Sequence, residues 1–240
     1  MHGLQIKSEE LIDAISAATR VGSTHLTECA RRLREAERGD LPPLYIRERR
    51  GDGSPLQGTR QAANLLFASL QTASSRGMAD AIERAEHTRI TGDYSEVLKI
   101  ADANAAPWIR TDLPIEHVLM GHESTLARLM DSHISFIRAL EFAIIAACAA
   151  PDAFAATWSP MRIVYDGDRN EGRIEADFAG RDPSSAAIVF RYADPEIPHQ
   201  SQGVHRESWL RGEVVADVGR AFRTANAKLA RRGARVGYGA

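Results

Sequence analysis

The sequence is poor in the features that would name a chemistry. Its two cysteines, Cys29 and Cys148, lie far apart in apolar helical patterns. They suit small buried hydrophobes, and not the disulfide framework of a secreted protein. No CxxC pair, P-loop, GxGxxG or GxSxG occurs, so redox, nucleotide-binding and serine-hydrolase signatures are missing. Long apolar runs are missing too. The most apolar stretch, Ala139 to Ala150, contains Glu141 and is too short to span a bilayer. Met1-His2-Gly3-Leu4-Gln5-Ile6-Lys7 runs straight into Ser8-Glu9-Glu10, which is not a signal-peptide pattern. These absences imply a cytoplasmic protein with no membrane partner. Charge of one sign is also lacking: the net charge is −2, so any contact with nucleic acid must rest on a local patch. No internal repeat is present.

What is there is ordinary globular material, 44% hydrophobic and 26% charged in 240 residues, enough for one large or two small domains. Ser8 is an N-cap candidate for a helix from Glu9 to about Thr19, with Leu11, Ile12, Ala14, Ile15 and Ala18 on its apolar side. After the break Arg20-Val21-Gly22, Ser23 is placed to cap a second helix to about Glu37. Leu26, Cys29, Ala30, Leu33 and Ala36 share one of its faces. A short strand at Leu44–Arg47 leads into Glu48-Arg49-Arg50-Gly51-Asp52-Gly53-Ser54-Pro55, a turn-rich hairpin tip or loop. A densely apolar helix, Thr59 to Ala73, is the expected centre of a small bundle, followed by a short helix at Met78–His87. Ile90-Thr91-Gly92-Asp93 is the expected domain boundary, with a further helix at Tyr94–Ala103.

Pro114 then opens the longest helical pattern, stopping before Pro151. Beyond Trp158 the pattern changes to alternation at Met161–Tyr165, Arg173–Phe178 and Ala187–Tyr192, three strands of an antiparallel meander. A closing helix is expected from Glu207 to Ala230, carrying Trp209, Leu210, Val214, Val215, Val218, Phe222 and Leu229. A basic tail expected to be disordered begins at Arg231. The fold class is therefore α+β. A (winged) helix-turn-helix bundle over residues 1–90 precedes a domain over 93–240 made of a long helix, a three-stranded meander and a closing helix.

Two helices joined by a tight Gly-containing break, then a basic turn-rich segment, suit a DNA-binding helix-turn-helix with a wing-like element. With Leu26, Cys29, Ala30 and Leu33 inward, the second helix presents Thr24, His25, Thr27, Glu28, Arg31 and Arg32 outward. Such side chains suit base edges and phosphates. Arg47, Arg49, Arg50 and Arg60 are placed to clamp the backbone beside it. The competing arrangement pairs Arg31, Arg32 and Arg34 with Glu28 and Glu35 at helical spacing, as a solvated face.

The string His25-Leu26-Thr27-Glu28-Cys29-Ala30-Arg31-Arg32-Leu33-Arg34-Glu35-Ala36 is similar to the openings of poorly characterised phage and prophage proteins. In those, an ARxLREA-like helix precedes a Gly- and Arg-rich loop and an AAxLLxALL-like helix. The matching parts here are Arg49–Leu56 and Gln61–Leu70, so the resemblance covers about residues 10–72, with Glu37 to Pro43 inserted. It implies a phage-related DNA-binding role and no known reaction. The expected partner is double-stranded DNA, bound by a homodimer or higher homo-oligomer acting as a transcriptional regulator. The alternatives are a DNA-packaging recognition subunit of a phage terminase and a protein-binding adaptor.

Metal chemistry has two weak candidates. His122 and His133 are eleven residues apart, about 16 Å along a helix axis, too far for one ion. His117 and His122 diverge by roughly 140° around a helix, and only a kink at Gly121 would unite them with Glu123. His133 falls in an apolar stripe and suits a core or interface. Asp166-Gly167-Asp168-Arg169-Asn170-Glu171-Gly172 resembles a calcium loop, but Glu171 stands where glycine makes the sharp turn, and flanking strands favour a hairpin. No cofactor and no catalytic role are expected. A basic run, Arg220, Arg223, Lys228, Arg231, Arg232 and Arg235, closes the chain as a second phosphate-contacting or simply solvated surface.

Overall fold

A computed structural model describes residues 4–36, 41–46, 55–70, 77–91, 134–158, 161–176, 188–195 and 207–236. The described residues are α+β, with helices and an antiparallel sheet sharing one buried apolar cluster. A two-residue strand β1 (Ile6–Lys7) pairs with β2 (Leu56–Gln57) and leads into α1 (Ser8–Thr19) and α2 (Ser23–Glu35). Neither helix is capped as the sequence suggests. Ser8 and Ser23 are the first helical residues, and the N-cap positions fall on Lys7 and Gly22 without side-chain hydrogen bonds. The Ser8 hydroxyl is buried and hydrogen-bonded to the Tyr45 hydroxyl at 2.9 Å. The expected strand at Leu44–Arg47 is absent from its described part. Leu44 and Tyr45 form a bend, both buried, with the Leu44 carbonyl accepting from Asn64 Nδ2 at 2.8 Å.

Helix α3 (Thr59–Leu70) buries every residue from Gln61 to Leu70 except Ser69, because it is covered on several sides at once. Its neighbours are α1, α2, α4 (Met78–His87) and α5 (Phe136–Ala149). The long helix expected from Pro114 is not continuous. Ile134 and Ser135 are non-helical, and Ser135 Oγ accepts from the Arg138 amide, so α5 begins at Phe136. The portion before residue 134, including His117, His122, Glu123 and His133, lies outside the described residues, as does the helix expected at Tyr94–Ala103. Pro151 does end α5, yet it also opens α6 (Pro151–Trp158), since proline is well tolerated in a first helical turn.

Among the described residues the sheet has five strands where three were expected. Strand β3 (Arg89–Thr91) is followed in the chain by β4 (Arg162–Asp166), β5 (Glu171–Ala176), β6 (Ile188–Ala193) and β7 (Glu207–Arg211), and the spatial order is β3-β6-β5-β4-β7. Residues 167–170 form the β4–β5 turn. Asp166 Oδ1 accepts from the amides of Asp168 and Arg169, and Asn170 takes the left-handed conformation at φ 52°. The closing helix α7 (Gly212–Val236) starts five residues later than expected and passes Arg231 without stopping. Glu207–Arg211, expected as its first turn, is a strand because Leu210 pairs with Ile163 in the core.

Phe67 of α3, Phe136 of α5 and Tyr165 and Tyr192 of the sheet form the aromatic centre, with ring separations between 4.7 and 6.2 Å. Helix α7 lays Val215, Val218, Phe222 and Ala225 against α1, α5 and α6. The boundary expected at 90–93 is crossed in several places. Strand β3 pairs with β6, Gln5 exchanges hydrogen bonds with Asn226, and one buried apolar cluster runs from Ile6 to Ala225. Cys29 and Cys148 are both buried and reduced, and burial pushes the Cys148 thiol up to about 12. No helix among the described residues is long and apolar enough to cross a membrane.

Candidate nucleic-acid interface

The turn between α1 and α2 is fixed locally. Arg20 ends α1 in the left-handed conformation, φ 61°, with its amide on the Ser16 carbonyl at 2.9 Å. Two hydroxyls then hold residue 21 from both sides. Ser16 Oγ donates to the Val21 carbonyl at 2.7 Å, and Thr19 Oγ1 accepts from the Val21 amide at 3.2 Å. The Gly22 carbonyl accepts from the amides of His25 and Leu26, so α2 starts after only three intervening residues. Leu26, Cys29, Ala30 and Leu33 are buried, which fixes the rotation of α2. Tyr45 secures its far end: the ring is fully buried, its hydroxyl meets Ser8, and the Arg34 guanidinium lies 5.4 Å from the ring centroid. Sequence reasoning missed Tyr45, and the only signal for it was an isolated aromatic after Pro42-Pro43.

This rotation brings Thr24, His25, Thr27, Glu28, Arg31 and Arg32 together on the outer side of α2. Thr24, His25, Thr27 and Arg31 are exposed, and Glu28 and Arg32 are half-buried. The arginines are already engaged within the helix. Arg31 spans Glu28 and Glu35 at 2.5 Å each, and Arg32 meets Glu28 at 2.9 Å and Glu35 at 3.9 Å. The hydrogen bond from Arg31, then that from Arg32, holds the Glu28 carboxyl down at about 2. Its folded value lies below the usual 4.5, so its contribution to stability is present above 4.5 and is lost only as pH falls toward 2. Between pH 5 and 8, roughly the physiological span, Glu28 therefore stays ionised and paired with Arg31.

Exposed ion pairs of this kind are weak, because water and salt screen them. The four charges cancel, so the face exerts little pull at long range. His25 Nε2 lies 3.5 Å from Cys29 Sγ, and burial raises that thiol, which makes it a poor nucleophile.

Arg60 is placed elsewhere. It reaches Glu86 of α4 and, at 3.5 Å, Glu141 of α5, and Glu141 also accepts from Arg138 and from Thr59 Oγ1 at 3.2 Å. This half-buried cluster ties α3, α4 and α5 together, and its carboxylates already oppose the Arg60 charge. Arg47, Arg49 and Arg50 lie outside the described residues. Among the described residues, no group of three or more His, Cys, Asp or Glu side chains is arranged to hold a metal ion. Compared with known proteins, the chain matches no family model, no curated protein and no solved structure.

Proposed function

We propose that α1, the turn and α2 act as a helix-turn-helix that binds double-stranded DNA, with α2 entering the major groove. The observation that carries this reading is the orientation of α2: its apolar stripe is consumed by the core, while Thr24, Thr27 and Arg31 project together into solvent after a three-residue turn. Thr24 and Thr27 offer hydroxyls to bases or phosphates, Arg31 and Arg32 suit guanine, and Glu28 suits the cytosine amino group. The segment containing Arg47, Arg49 and Arg50 is assigned the wing-like role of meeting the phosphates beside it. The resemblance of residues 10–72 to phage and prophage proteins supports a phage-type transcriptional regulator. A regulator of this kind pairs two such units on two half-sites, with the remainder of the chain joining the copies.

A gel-shift series on genomic fragments at several salt concentrations tests this. Arg31→Ala combined with Arg32→Ala is expected to weaken the tightest fragment roughly ten- to a hundredfold. The salt slope should change little, because those charges are balanced within the helix and the slope counts phosphate contacts. Unchanged affinity in the double variant would remove α2 from the interface.

A further inference from the structure

Strand β7 lies at one end of the sheet order, and among the described residues it pairs on one side alone, with β4. The free side of such a strand is a template for a further strand, and sheets commonly blunt it with proline, lysine or a bulge. The sequence Glu207-Ser208-Trp209-Leu210-Arg211 has no proline and no lysine, and its register with β4 runs without a bulge.

The ladder fixes which peptide groups reach that edge. The Gly212 amide donates to the Met161 carbonyl at 2.8 Å, which continues the β4–β7 register one step beyond Arg162 and Arg211. Hydrogen-bonded pairs alternate along antiparallel strands, so Ile163 with Leu210 and Tyr165 with Ser208 exchange bonds inside the sheet. The amides and carbonyls of residues 207, 209 and 211 therefore point away from β4. Those same positions share the outer face of the sheet, because Leu210 between them is buried in the core. Trp209 is 48% exposed, an unusual state for so large an apolar ring, and Arg211 beside it is exposed.

This edge is complementary to itself. Turned end for end about Trp209, position 207 falls opposite position 211 and Trp209 falls opposite its own copy. Position 207 is a glutamate and position 211 an arginine, so both outer pairs join opposite charges. The residues brought together in bonded pairs are the ones whose peptide groups face outward. Any other register pairs fewer residues of the two strands.

We propose that β7 is a homodimer joint, in which two copies pair antiparallel through this edge about a twofold axis at Trp209. The pairs 207–211, 209–209 and 211–207 exchange backbone hydrogen bonds, the two indoles meet on the axis, and opposite charges close both ends. The sheet then runs continuously through both copies. This gives the paired units of the DNA-binding reading a defined joint, and it requires no DNA.

The test is sedimentation equilibrium of the full chain, without DNA, at roughly micromolar concentrations, the weak end of specific association. A dimer is expected. Arg211→Glu sets glutamate against glutamate in both outer pairs and should weaken the dimer roughly ten- to a hundredfold. Glu207→Arg should do the same with arginines. The two changes combined restore opposite charges and should recover most of the affinity, which a merely structural role for either residue would not give. Trp209→Cys should form a disulfide-linked dimer on mild oxidation, because bonded pairs stand about 5.5 Å apart between Cα atoms, within disulfide reach. Arg211→Cys, whose opposite is position 207, should not, and Cys29 and Cys148 are buried. A dimer of this behaviour that shifts no DNA fragment would leave the joint standing and remove the reading of α2. A dimer indifferent to every β7 change, which would place the joint elsewhere, would overturn the proposal. So would a monomer throughout, which would leave the edge to a strand of another protein.

Discussion

Replacing Phe136 by alanine is expected to cost about 3–5 kcal/mol, the largest effect of any single substitution considered for this fold. The ring is fully buried at the first position of α5, stacked on Tyr165 at 5.6 Å and tilted against Tyr192 at 5.8 Å, with Phe67 edge-on at 6.2 Å. It fills the space above Gly172 of β5, where an added Cβ would overlap the ring. Glycine is required there for this close approach of ring to strand. Truncation would empty the joint between α3, α5 and the sheet together, and neither sheet nor helix can close the gap without losing its other contacts. Against a total stability of about 5–15 kcal/mol, the loss should move the urea midpoint far down at unchanged slope. A shift worth less than about 1 kcal/mol, the scale of a single buried methylene, would mean that the aromatic centre is not where the fold is held.

Gly219→Ala sets two effects of opposite sign against each other. In an isolated helix alanine would gain about 1 kcal/mol over glycine. In α7, however, the new Cβ would stand 2.6 Å from the Ala147 carbonyl carbon and 2.7 Å from its oxygen. The obstacle is backbone, so no rotamer change relieves it, and α5 or α7 must shift as a body. Overpacking of this sort costs about 1–3 kcal/mol, and more where backbone must yield. The expected net result is a loss of about 1–2 kcal/mol, measured as a lower Tm with normal helix content. A variant as stable as the parent would show that the α5–α7 contact yields easily.

The parts of the fold legible in the sequence are those where one face alone decides. Met78–His87 and the apolar side of α2 follow from periodicity, and so does the outward set Thr24, His25, Thr27 and Arg31. The intrahelical pairing of Arg31 and Arg32 with Glu28 and Glu35 was also legible, as the competing arrangement, because it depends only on spacing. What was hidden depends on distant partners. Trp209 and Leu210 continue the apolar pattern of the helix that follows, and only the pairing of Leu210 with Ile163 makes them strand. The break at Ser135 was masked by an apolar stripe that runs across it. The partners of Arg60, Glu86 and Glu141, are 26 and 81 residues away, so no local pattern could have shown that Arg60 is ion-paired between helices.

A photo-crosslinking amino acid placed at position 27 addresses the outer face of α2 most directly, with position 224 on the exposed side of α7 as the control. On irradiation with the tightest duplex fragment from the gel-shift series, position 27 should join covalently to base-containing products and position 224 should not. Crosslinking from position 224 with none from position 27 would contradict the assignment of α2 to the groove.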